Sequence, residues 1–258
     1  MKLLRILTGL ALSVLFSLTA AAQPITGDHI PTSNGGDLVV HPMKHATMVL
    51  TWNGVTMYVD PAPAPGSPPG TDGAAAFKGM PAADLILVTD IHGDHFDVPS
   101  LEKLAGAKTV VVVPQAVMDK LSDAVKPKAR VIANGASTSV AAIGIEAVPM
   151  YNTTQDRLQF HSKGRGNGYV LTIGGKRVYI AGDTEDIPEM RALKNIDVAF
   201  IPMNLPYTMP PEQAAQGVLA FKPKIVYPYH YGQSDVGVFA RAIGENNGIE
   251  VRQRNWYQ

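Results

Sequence analysis

"TDIHGDHFD", residues 89–97, follows directly on the apolar run Leu85-Ile86-Leu87-Val88. Asp90, His92, Asp94 and His95 place two carboxylates and two imidazoles where a buried strand must end. In sheets covered by helices, loops beyond the strand ends can converge without carrying polar groups into the core. Residues 90 and 92 lie two apart and share one side of an extended segment. Gly93 is expected to permit the sharp turn that brings Asp94 and His95 round to a neighbouring point. Imidazole and carboxylate suit a divalent first-row ion, and three or four such ligands leave a coordination position for water. An ion held in this way can lower the pKa of that water from ~15.7 toward ~7.

Other strand ends carry the same kind of residue. The run 140–150 leads into Tyr151-Asn152-Thr153, and the strand expected at 177–181 leads into Gly182-Asp183-Thr184. The strand expected at 198–202 ends in Met203-Asn204, and that at 225–228 in Tyr229-His230-Tyr231-Gly232. Between these ends the strands are apolar. Asn53-Gly54 separates two runs, 47–52 and 55–59, as a tight hairpin turn. Gly174-Gly175 does the same between 169–173 and 177–181. The Pro- and Gly-rich stretch 61–70 is expected to be a mobile surface loop beside a site. From residue 84 onward strands alternate with helices expected at 98–104, 115–125, 188–193, 211–221 and 236–243. Hairpins followed by such alternation predict an α/β chain of two mixed sheets packed face to face, with helices outside.

The N-terminus is set apart by its composition. Met1-Lys2-Leu3-Leu4-Arg5 is basic, residues 6–18 are apolar but too few to span a bilayer, and Ala20-Ala21-Ala22 precedes Gln23. Residues 1–22 read as a secretory signal peptide, giving a periplasmic or secreted domain of residues 23–258 without a stable membrane anchor. The chain balances 22 Lys and Arg against 22 Asp and Glu, and the leader removes Lys2 and Arg5 with no acid. The remainder is close to neutral, which argues against a nucleic-acid partner. Cysteine is absent, so any metal ligand must come from His, Asp, Glu or Asn.

Asp90-x-His92-x-Asp94-His95, followed by Gly182-Asp183-Thr184 and by His230 after a strand, resembles the metallo-β-lactamase superfamily over about residues 38–232. Its signature is His-x-His-x-Asp-His, a further His, a bridging Asp and a last His. "KHATMVLTWNGVTMYVDP" and "PYHYG" look like the branch of L-ascorbate-6-phosphate lactonases and related metal-dependent hydrolases. The resemblance implies an αββα sandwich with one or two divalent ions, Zn, Mn or Fe, at its edge. It assigns His92 to the first metal position, Asp94 and His95 to the second, Asp183 as the bridge and His230 as the last histidine. Two departures stand out. Asp90 occupies the place of the first His, and Asn152 stands where the middle His is expected. An oxygen-rich first position favours a harder ion such as Mn²⁺ or Fe²⁺, or holds its ion weakly.

The resemblance thus implies an exported metal-dependent hydrolase acting on an ester, lactone or phosphoester of a small molecule, with Asp94 orienting the attacking water. A metal-binding chain without turnover, or a β-lactamase, is the alternative. Asn152 and Asn204 are expected to line the substrate pocket. His161, Lys163 and Arg165 read as a solvated basic turn, with an anchor for an anionic substrate as the other possibility. His41 and His45 read as sheet residues with the site within reach. Tyr151, Tyr229 and Tyr231 read as packing, and oligomeric state is open.

Overall fold

Each half of the chain folds into one seven-stranded sheet whose strands lie side by side in chain order. The computed structural model describes residues 27–257, so the leader expected at 1–22 lies outside the described residues. The first sheet comprises β1 (Asp28–Pro31), β2 (Asp37–Lys44), β3 (Thr47–Trp52), β4 (Val55–Val59), β5 (Leu85–Leu87), β6 (Val110–Val113) and β7 (Ala129–Val131). The second comprises β8 (Ser137–Val140), β9 (Ile143–Met150), β10 (Gly166–Ile173), β11 (Lys176–Ile180), β12 (Val198–Pro202), β13 (Ile225–Tyr229) and β14 (Glu250–Val251).

Both sheets change direction in the same way. β1 to β4 are antiparallel and β4 to β7 parallel; β8 to β11 are antiparallel and β11 to β14 parallel. Connection length dictates this. Asn53-Gly54 and Gly174-Gly175, all four with positive φ, close two-residue hairpins. A return to parallel needs a crossover, supplied by α1 (Val98–Leu104) in the first sheet and by α3 (Pro188–Arg191), α4 (Pro211–Phe221) and α5 (Val236–Ile243) in the second.

The continuous apolar runs follow from burial on both faces. In β12, Val198 and Phe200 point into the central core between the sheets, while Ala199 and Ile201 pack against helices. In β5, Leu85 and Leu87 face the centre and Ile86 the helix layer. Each such side chain contributes roughly 1.5–3 kcal/mol. The αββα sandwich expected from the sequence is the observed architecture.

Two local expectations fail. The helix over 115–125 shrinks to α2 (Gln115–Met118), because the chain tightens into successive turns that bring Leu121 and Val125 into the core. Gly93 has no positive φ, and a Cβ there would meet nothing within 4 Å. The turn is instead closed by the His95 and Phe96 N–H groups, both donating to the His92 carbonyl at 3.0 and 2.9 Å. Glycine is needed at Gly182, where φ is +66° and a Cβ would lie 2.6 Å from Met150 Sδ.

Candidate metal centre

One edge of the sandwich collects the chemistry. The carboxyl ends of β4, β5, β11, β12 and β13 deliver Asp60, the 90–95 segment, Asp183, Asn204 and His230. Antiparallel neighbours add residues that precede a strand. His45 sits in the β2–β3 turn, and His161 and Arg165 come just before β10, whose Gly166 pairs with Met150 at the end of β9.

At the centre, His95 Nε2 lies 3.1 Å from His230 Nε2, 3.3 Å from Asp183 Oδ2 and 3.8 Å from Asp94 Oδ2. His230 Nε2 is 3.2 Å from Asp94 Oδ2 and 3.4 Å from Asp183 Oδ1. The His95 tautomer is fixed from behind. Its Nδ1 donates to Asp60 Oδ2 at 2.9 Å, and Asp60 also accepts the Thr89 N–H and hydroxyl, each at 2.7 Å. With Nδ1–H committed to Asp60, Nε2 is the nitrogen that faces the cluster and the one a cation would take, the arrangement a carboxylate-backed metal histidine needs. Burial opposes a charge on His95, but Asp183, Asp94 and Asp60 outweigh it and hold its pKa well above the usual value. Burial likewise opposes ionisation of Asp183, and His230, His95 and His161 overcome it to hold the carboxyl well below its usual range. Asp183 Oδ1 is buried and accepts no hydrogen bond. Two facing imidazole nitrogens and two carboxylates, one with an orphaned oxygen, fit a divalent cation.

Beside this group lies a second. His92 Nδ1 is 2.7 Å from Asp90 Oδ2, and His161 Nε2 is 3.1 Å from Asp183 Oδ2 and 3.8 Å from Asp90 Oδ2. Asp90, His92, His161 and Asp183 bring ligand atoms within 4.8 Å of one another, as do His95, Asp183 and His230, and His45, Asp94 and His230. Arg165 intrudes here: its Nε donates to Asp90 Oδ1 at 3.3 Å and its Nη2 to Asp90 Oδ2 at 3.2 Å. Burial opposes the Asp90 charge, but His92, His95 and Arg165 outweigh it and lower its pKa.

The structure brings Asp90, His92, Asp94, His95, Asp183 and His230 together, and it corrects two expectations. His161, expected in a solvated turn, is buried among the ligand candidates in the place given to Asn152. Asn152 does not reach the cavity wall. Its Nδ2 donates to the Arg157 and Tyr207 carbonyls at 2.9 and 2.7 Å, and its N–H to the His161 carbonyl at 2.9 Å, so it pins the loop that carries His161. Lys163 turns outward to Glu189.

His45, expected as a sheet residue with the site within reach, joins the cluster. Its Nε2 lies 3.1 Å from Asp94 Oδ2 and its Nδ1 2.7 Å from the Tyr257 hydroxyl, which also accepts the Gly232 N–H at 2.7 Å. Burial, offset in part by Asp94, lowers the His45 pKa to about 4, so the ring is neutral at pH 7. With Tyr257 donating to Nδ1, the single ring proton sits on Nε2 and points at Asp94. His45, Asp60 and His230 all adopt positive φ, at 54°, 46° and 46°. Such strain in non-glycine residues gathers where surrounding structure enforces a functional geometry.

The cluster forms the floor of a cavity of about 810 Å³. Asp94, His92, His161, Asp183 and His230 reach it from below; Ala64–Pro68 of the Pro-rich loop, Phe160, Asn204, Tyr207 and Tyr257 form the walls. No helix among the described residues is long and apolar enough to cross a membrane.

Residues 40–230 match the family model described as the beta-lactamase superfamily domain. The chain is 31% identical over 219 residues to a UPF0173 metal-dependent hydrolase of Thermus thermophilus, covering 82% of this chain and 93% of the relative. It is 32% identical over 178 residues to one from Pyrococcus abyssi, covering 65% and 77%. A solved chain from Parabacteroides distasonis described as a metal-dependent hydrolase superposes with a TM-score of 0.80 at 40% identity, covering 91% of this chain and 100% of that one. The metallo hydrolase Igni18 of Ignicoccus hospitalis, at 21% identity and a TM-score of 0.68, shares the fold. With its edge cluster of histidines and carboxylates, the chain belongs to the β-lactamase superfamily and is a metal-dependent hydrolase.

Proposed function

We propose that this chain hydrolyses an ester, lactone or phosphoester of a small molecule, using a divalent ion held by Asp94, His95, Asp183 and His230. The observation that carries this is the approach of His95 Nε2 and His230 Nε2 to 3.1 Å, with both carboxylates alongside, on the floor of an open cavity. An ion at that point supplies the Lewis acidity that makes water nucleophilic near neutral pH.

The protein's own groups do the rest. Asp94, with a side chain 24% exposed, is the more open of the two carboxylates that line the cavity, and it orients the water and accepts its proton. His45 fixes the Asp94 rotamer by donating to Oδ2. Asp60 and Thr89 hold His95 from the side away from substrate. Phe160, Tyr207 and Tyr257 give the cavity apolar walls, and Asn204 supplies an amide beside the floor. The two imidazoles and two carboxylates at Asp94, His95, Asp183 and His230 suit a first-row divalent ion, Zn²⁺, Mn²⁺ or Fe²⁺. The basic start, short apolar core and Ala20-Ala21-Ala22 support export of the domain.

A panel of ester, lactone, phosphodiester and β-lactam substrates, assayed with Mn²⁺ and with Zn²⁺, tests the proposal. Turnover of an oxygen ester or phosphoester that chelation abolishes and Mn²⁺ restores is expected. Turnover confined to β-lactams with Zn²⁺, or none on any substrate by fully loaded protein, refutes it. A periplasmic protein beginning at Gln23 is the expected result for export, and an uncleaved cytosolic chain refutes that part.

A further inference from the structure

We propose that the Arg165 guanidinium stands in for one of the two metal ions that the edge cluster could otherwise hold. The chain then binds a single ion, beside Asp94, His95, Asp183 and His230, and carries a fixed organic cation at Asp90 and His92. This rests on the metal-dependent reading above and specifies how many ions it involves.

At Asp90 and His92 the hydrogen bonds are already closed. Asp90 is fully buried, and both its oxygens are taken: Oδ1 accepts Arg165 Nε at 3.3 Å, and Oδ2 accepts Arg165 Nη2 at 3.2 Å and His92 Nδ1 at 2.7 Å. Because Nδ1 of His92 carries a proton toward Asp90, Nε2 is the one lone pair that ring can offer. That lone pair faces Arg165 Nη2 at 3.4 Å. A guanidinium has donors only and does not lose its proton in proteins. Arg165 is held in this pose by a further bond from Nη2 to the Phe160 carbonyl.

Charge leads to the same conclusion. A buried carboxylate requires a cation, and Arg165, with a side chain only 23% exposed, provides one in side-on geometry. A divalent ion entering between Asp90 and His92 would meet that guanidinium at contact distance, like charge against like. The neighbouring group is in the opposite condition. Among the described residues no Lys or Arg side chain pairs with Asp94 or Asp183, and Asp183 Oδ1 lacks any donor. One group is saturated by an internal cation, and the other still needs one.

The pairing also explains why a carboxylate is suitable at residue 90. A neutral imidazole there would leave Arg165 without its partner. An aspartate and an arginine together form a closed unit that needs no ion.

Metal content separates the possibilities. Metal-free wild type, Arg165→Met and Asp90→His/Arg165→Met are loaded with Mn²⁺, freed of excess, and assayed for bound metal by mass spectrometry. Spin-resonance spectra distinguish isolated from coupled ions. The double variant removes both charges together, so it leaves no buried unpaired carboxylate should the single variant fold poorly. Wild type is expected to retain about one equivalent with an isolated-ion spectrum, and the folded variants about two with coupling between them. Two firmly held equivalents in wild type would overturn this inference and leave the metal reading intact. So would a natively folded double variant that stays at one. No bound metal in any of the proteins would overturn both.

Discussion

Asp60→Asn isolates the contribution of a residue that touches no substrate. The Asp60 side chain is fully buried, and its oxygens accept the Thr89 N–H, the Thr89 hydroxyl and His95 Nδ1 at 2.7, 2.7 and 2.9 Å. Asparagine keeps the volume and retains an oxygen for the Thr89 N–H. Its amide nitrogen, however, replaces the acceptor that faces Thr89 and His95. The Thr89 hydroxyl can rotate and accept, whereas the His95 Nδ1–H meets another donor. His95 then either donates its Nδ1–H to the Thr89 hydroxyl 3.0 Å away, in competition with the new amide, or moves the proton to Nε2, where it blocks the nitrogen aimed at His230 and Asp183. Losing such a carboxylate partner typically weakens metal binding ~10–100-fold, or ~1.4–2.7 kcal/mol. Competition against a chromophoric chelator on metal-free protein reads this directly, with circular dichroism to confirm the fold. Mn²⁺ affinity within about twofold of wild type in a natively folded Asp60→Asn protein would show that His95 does not depend on Asp60 for its tautomer.

Asp94→Asn is expected to keep the fold, to need more Mn²⁺ for saturation, and when saturated to turn over ~10²–10⁴ more slowly, which steady-state kinetics with a parallel metal assay decide; undiminished turnover in the metal-loaded variant removes the role given to Asp94. Tyr257→Phe deprives His45 of a 2.7 Å partner and should lower kcat/KM about tenfold with unchanged secondary structure. Identical kinetics would mean that His45 is held without it. Glu185 is buried and accepts the N–H and hydroxyl groups of Thr153 and Thr154 and an ion pair from Arg157, thereby anchoring the loop before His161. Burial works against its ionisation, but those donors prevail and lower its pKa. Its stabilising effect is therefore fully present above the unfolded carboxyl value of ~4.3 and lost as pH falls through the lower folded value. Glu185→Gln should lower Tm at pH 7 and close the gap to wild type as the pH is taken below ~4, measured by thermal unfolding across pH. A gap that widens on acidification contradicts the sign.

The architecture was open to inspection because strands buried on both faces must be apolar throughout, as β5 and β12 are, and because Asn53-Gly54 and Gly174-Gly175 allow one kind of turn. The metal-ligand candidates Asp90, His92, Asp94, His95, Asp183 and His230 were visible as polar residues following such strands. What escaped lies at the same edge by a different route. His161 and Arg165 precede β10, and His45 precedes β3; in an antiparallel pair the start of one strand adjoins the end of the next. Attention to strand ends left His161 and Arg165 as a solvated turn or a substrate anchor and His45 as a sheet residue near the site, and it gave Asn152 the place of His161. Asp60 was hidden behind the Pro-rich loop it introduces, although it follows β4 as Asp90 follows β5. The Asp90–Arg165 pair spans 75 residues, and no local pattern joins them. Tyr257 reaches His45 across 212 residues by a backbone path that the sequence does not encode in any short motif.

Anomalous diffraction from Mn²⁺-loaded crystals tests the central claim most directly. The account predicts one strong peak bounded by Asp94, His95, Asp183 and His230, with Arg165 still paired to Asp90 and no ion between Asp90 and His92. A cluster without a peak at full occupancy elsewhere, or an ion seated away from His95 and His230, would contradict it.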